Sequence, residues 1–96
     1  VERPVLVPRP ALVLTSMPVG PDGLLLWTLM ITNAARPEWP GDVIIKNAEA
    51  LGLLIPSKIR TAKVASVETA SAVLLGRLDD DGIVQICDLV RGYLPA

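Results

Sequence analysis

The run LLLWTLMIT, residues 24–32, constrains this chain more than any other stretch of it. It is far short of the roughly 20 apolar residues that a membrane-spanning helix needs. It is also too continuously apolar for a strand with one wet face, which would alternate. It therefore reads as a central strand buried on both sides. Two polar, turn-rich segments frame it: PVGPDG (18–23), with two prolines and two glycines, and NAARPEWPGD (33–42). The second is a ten-residue loop, long for a small domain, and such loops carry function more often than shorter ones.

Shorter elements fall on either side. PALVLTS (10–16) reads as a strand that starts on a proline, where a ladder donor is least needed. The chain returns as a strand at 43–46, makes one helical turn at 47–52 that Gly52 closes, and continues at 57–67 as a strand with a kink. A turn near 68–71 and a fifth strand at 73–78 follow. Ile83, Ile86, Cys87, Val90 and Leu94 then recur at helical spacing, and Asp79, Asp80 and Asp81 supply a cap and negative charge for the helix N-terminus. Such a helix must lie on something apolar. The expected architecture is a single domain over residues 1–96, mainly β with α: a small, strongly curved sheet or partly open barrel closed by a C-terminal amphipathic helix.

With two tryptophans, one tyrosine and no phenylalanine, the core must be aliphatic. Histidine is absent and Cys87 is the single cysteine, so neither an internal disulfide nor a thiolate or imidazole metal site is expected. No cofactor motif is present. A net charge of −1 argues against indiscriminate nucleic-acid binding, but four of the ten acids crowd into the C-terminal part as Asp79, Asp80, Asp81 and Asp88. Residues 1–78 then hold eight bases against six acids, which leaves room for a local basic face. The expectation is a soluble, cytoplasmic protein without a membrane segment. Its opening, VERPVLV, reads as the middle of a loop, as in a fragment or processed product.

Four features carry candidate chemistry, each beside a plainer reading. Arg9 stands just before a strand, where its guanidinium is either a solvated loop cation or a bidentate clamp for phosphate. Thr32 and Asn33 emerge where the buried strand stops, either as ordinary strand-end residues or as ligand groups. Adjacent strands of a hairpin would bring Arg9 and Thr32 together. Lys58, Arg60, Thr61 and Lys63 form a basic stretch that either lines a solvated strand or follows an RNA backbone. Trp39 either pins the long loop to the core or stacks on a base. Cys87 falls on the apolar side of the helix and reads as a small buried hydrophobe.

RPALVLT from Arg9, LMITNA from Leu29, WPGDVII from Trp39, LGLLIPSKIRTAKVASV from Leu51 and LLGRLDDDGIVQICDLVRGYL from Leu74 together resemble the PemK/MazF family of toxin endoribonucleases, in order and spacing, over nearly the whole chain. The resemblance implies a small SH3-like barrel of the type shared with the gyrase poison CcdB. It also implies metal-independent cleavage of single-stranded mRNA to 2′,3′-cyclic phosphate and 5′-hydroxyl ends, a homodimer and a cognate antitoxin. It sets Arg9 and Thr32 at the family's catalytic positions and Asn33, Lys58, Arg60 and Thr61 beside the RNA, with Glu2 as the nearest counterpart of an acidic loop residue. The chain departs from the pattern twice. The family's usual first strand is missing ahead of VERPVLVP, and VETAS (67–71) lacks a lysine common there. The alternative reading is a non-catalytic protein of this fold that binds an antitoxin or a protein target.

Overall fold

In the computed structural model, which describes residues 9–95, the apolar run does become an inner strand. It forms β2 (Leu25–Asn33), paired antiparallel with β1 (Ala11–Val13) on one side and with β4 (Ser57–Glu68) on the other. β3 (Asp42–Ile44) adds to the far side of β4, giving the order β1-β2-β4-β3 in a curled half-barrel. α1 (Asp80–Tyr93) closes it. The mainly β fold with a C-terminal helix is the one expected. Glu2 and the VERPVLV segment lie outside the described residues.

The kink expected in 57–67 is a bulge. Leu29 pairs with Val64 but Met30 pairs with Arg60, so residues 61–63 face no partner on β2. A bulge of this kind bends the strand and re-aims its side chains. The short excursion after β3 is a 3-10 turn at Ala48–Leu51, closed by Gly52 in the left-handed region at φ 78°.

One sheet surface holds the core. Leu29, Ile45, Leu53, Ile59 and Ile86 are buried together, with Leu12, Ile31, Val43, Leu51 and Val90 packed around them, an aliphatic core without an aromatic ring. Ile86 carries α1 onto it, and burying that side chain contributes roughly 1.5–3 kcal/mol. Asp79 starts the helix as expected, its Oδ1 accepting a hydrogen bond from the Gly82 amide at 2.8 Å.

Three expectations fail. Leu94, placed on the apolar helix face by spacing, lies past the end of α1 and is exposed. β2 is not buried along its whole length, because Trp27 sits near the open end of the sheet and is about half exposed. The fifth strand at 73–78 does not form. Those residues make no backbone hydrogen bond to the described part of the chain, and Val73 and Leu74 project into solvent. A strand needs a paired neighbour, and none of the described strands pairs with this segment, although Leu75, Gly76 and Leu78 line a cavity with Ala11 and Leu12 of β1. Among the described residues, no helix is long and apolar enough to cross a membrane.

Candidate functional site

Cross-strand partners point to the same side of a sheet, so the register shows which side chains share the surface opposite the core. Ala11 pairs with Met30, and the Pro10 carbonyl accepts from the Ile31 amide at 3.4 Å. Continuing that register by one step sets Arg9 across from Thr32. Thr32 pairs in turn with Lys58, and Lys58 with Ile44. Thr32, Lys58 and Ile44 therefore form one row across the sheet, and Arg9 stands at its end only by extension of the β1 register. Ala11, Met30, Arg60 and Asp42 form the next.

The expected meeting of Arg9 and Thr32 is thus a matter of hairpin register. Arg9 is exposed and Thr32 half-buried, so a guanidinium and a hydroxyl face solvent from neighbouring chain segments. Pro10 fixes its own φ beside the arginine, and the β2 ladder holds the threonine.

The long loop behaves otherwise. Asn33 turns it, its Oδ1 accepting from the Ala35 amide at 2.9 Å and its carbonyl accepting from the Arg36 amide. The chain then folds back over the polar sheet surface. The Arg36 carbonyl accepts from Lys58 Nζ, and the Pro37 carbonyl accepts from Arg60 Nη2. Asp42 Oδ2 lies 3.3 Å from Lys58 Nζ and 3.7 Å from Arg60 Nε, and it also accepts from the Trp39 amide at 2.9 Å. Thr61, re-aimed by the bulge, donates to the Gly41 carbonyl at 2.7 Å or shares its hydroxyl with Tyr93 at the same distance.

These contacts correct the picture of a basic stripe on the surface, and equally that of a solvated strand. Lys58, Arg60 and Thr61 are 2%, 7% and 1% exposed. Two buried cations are tolerable because one carboxylate and two carbonyls receive them. Lys63, the last residue of the bulge, is the member of the stretch that is exposed. Asn33 is exposed too, with its side-chain oxygen engaged in its own turn.

Two residues of this arrangement went unnoticed in the sequence. Asp42 is the carboxylate both cations need, yet it precedes them by 16 and 18 positions, and nothing local marks the partnership. Tyr93 is the only tyrosine, and it ties the end of α1 to the loop through Thr61. A lone tyrosine at a helix end carries no such message. Gly41, between them, has φ 86°, and a β-carbon there would run into the hydroxyls of Thr61 and Tyr93.

A family model described as PemK-like, MazF-like toxin of type II toxin-antitoxin system matches residues 3–94. The chain belongs to this family. No curated protein matches it. PemK-like, MazF-like proteins are toxins of type II toxin–antitoxin systems and generally endoribonucleases, which implies an antitoxin partner and an RNA substrate in general terms. The half-barrel with its C-terminal helix is consistent with that membership.

Proposed function

We propose that this chain is the toxin of a type II toxin–antitoxin pair and acts as a metal-independent endoribonuclease on single-stranded mRNA, with Arg9 and Thr32 as its catalytic residues. The observation that supports this reading is the register that sets an exposed arginine opposite a strand-end threonine. In the reaction, the 2′-hydroxyl of the RNA attacks the adjacent phosphorus and the bond to the 5′-oxygen breaks. The products are a 2′,3′-cyclic phosphate and a 5′-hydroxyl. Because the nucleophile belongs to the substrate, the enzyme must chiefly hold an in-line geometry and stabilise the charge of the phosphorane. The Arg9 guanidinium can clamp two phosphate oxygens, and the Thr32 hydroxyl can donate to a third group. Arginine keeps its proton in proteins, so Arg9 serves here as an electrostatic clamp.

Lys58, Arg60 and Thr61 act in this reading as positioning residues that hold the loop beside the catalytic pair. Asn33 shapes the point where the loop departs and offers its amide nitrogen to RNA. A homodimer and a cognate antitoxin complete the proposal.

The test is cleavage of a long single-stranded RNA in EDTA, with product ends mapped, beside Arg9→Ala and Thr32→Ala. Discrete cuts with cyclic-phosphate ends are expected, with a loss of about 10²-fold or more in rate for Arg9→Ala. Cleavage unaffected by either substitution would refute the site. No cleavage, together with retained binding to an antitoxin, would show a protein of this fold that binds without catalysing.

A further inference from the structure

Trp39 is attached to the molecule in an unusual way. Its ring is not part of the aliphatic core. One face lies against the Arg60 guanidinium, whose central carbon is 4.1 Å from the ring centroid. That guanidinium is itself buried, donates to the Pro37 carbonyl and sits beside Asp42, so it cannot swing away. The Trp39 backbone is pinned at the same point, its amide donating to Asp42 Oδ2 and its carbonyl accepting from the Asp42 amide at 3.0 Å. Even so, the residue remains 40% exposed. With one face on the cation, that exposure belongs to the other face and the ring edge. A tryptophan that merely anchored a loop would bury its rings against aliphatic side chains. This one is held flat from behind and turned outward.

Its place on the sheet gives the exposed face a use. Arg60, beneath the ring, is a diagonal neighbour of Thr32, two residues along β4 from its direct partner Lys58, and such neighbours stand about 7–8 Å apart. We infer that Trp39 is a stacking platform for one base of a single-stranded RNA, on a nucleotide next to the phosphate held by Arg9 and Thr32. This rests on the ribonuclease reading and adds a base subsite to it. Aromatic stacking accepts any base and dispenses with hydrogen-bond readout. The buried cation adds to the arrangement by gripping the ring's inner face.

The experiment uses a Trp27→Phe background, so that Trp39 is the one fluorophore of its kind, and two uncleavable probes of equal length and charge. One is a 2′-O-methyl RNA and the other an abasic 2′-O-methyl oligomer. The RNA is expected to quench Trp39 fluorescence and the abasic oligomer to leave it unchanged. Trp39→Ala should weaken RNA binding by about 5- to 100-fold, leave binding of the abasic oligomer as it was, and be largely rescued by Trp39→Phe. Equal quenching by both probes, or RNA affinity unchanged in Trp39→Ala, overturns the stacking role. If the Trp39→Ala chain still cleaves RNA in EDTA with an unaltered KM, the ribonuclease reading stands while this one falls. If the unsubstituted chain neither binds nor cleaves RNA, both fall together.

Discussion

The two halves of β4 reverse what hydropathy would assign them. Its first five residues, Ser57 to Thr61, include two cations and two hydroxyls, and all five are buried. The residues just past them, 62–66, are exposed even though Ala62, Val64 and Ala65 are apolar. The bulge at Leu29 and Met30 divides the two. On one side of it, core and helix cover one surface while the loop covers the other. On the other side, residues 62–66 of β4 run out beyond both covers, although Leu26 and Thr28 of the neighbouring β2 stay buried. Burial here follows from what folds across a strand more than from what the strand is made of. The polar half is affordable because Asp42 and the loop carbonyls lie in wait for its charges.

The sharpest way to break this contrast is to remove the shared counter-charge. Asp42→Ala should cost about 3–5 kcal/mol in urea unfolding, since two buried cations lose their carboxylate. Replacing Asp42, Lys58 and Arg60 together by similarly sized apolar residues should recover most of it, which would show that the network costs as much to bury as it returns. Gly41→Ala comes next. The strained φ and the collision with the Thr61 and Tyr93 hydroxyls should cost about 1–3 kcal/mol and loosen the loop, seen as faster amide exchange at residues 34–41. Tyr93→Phe removes one hydroxyl from the three-way contact and should cost about 1 kcal/mol, because Thr61 keeps its bond to Gly41. At the far end of the scale, Val64→Thr in the open half should change stability by no more than about 0.5 kcal/mol. A larger loss at Val64 would mean that something covers the open half in solution, and the contrast would then belong to the isolated chain.

Much of the fold could be read from local pattern. Leu24 to Thr32 announced an inner strand, the Asp79 cap and the Ile83–Ile86–Val90 spacing announced the helix, and Gly52 closed its short turn where expected. Strand 73–78 was misjudged because apolar composition says that a segment can pair, while pairing depends on a neighbour supplied by the fold. The β1–β2 register that, extended, leads from Arg9 to Thr32 was legible because neighbouring strands of a hairpin are bound by register. The fate of Lys58 and Arg60 was not, because it turns on Asp42 and on loop carbonyls whose positions depend on how residues 34–41 travel through space.

Cations that are neutralised from within cannot neutralise a phosphate, and so free none of the counterions condensed along a nucleic acid. An RNA strand laid along this surface would meet the exposed Arg9 and Arg36, while Lys58 and Arg60, buried beside Asp42, would release no counterions from it. Each phosphate neutralised on a single strand contributes about −0.7 to the slope of log affinity against log salt, so two contacts give a slope near −1.4. A fourfold rise in salt would then weaken such binding by only about sevenfold, less than the run of basic residues in the sequence would suggest.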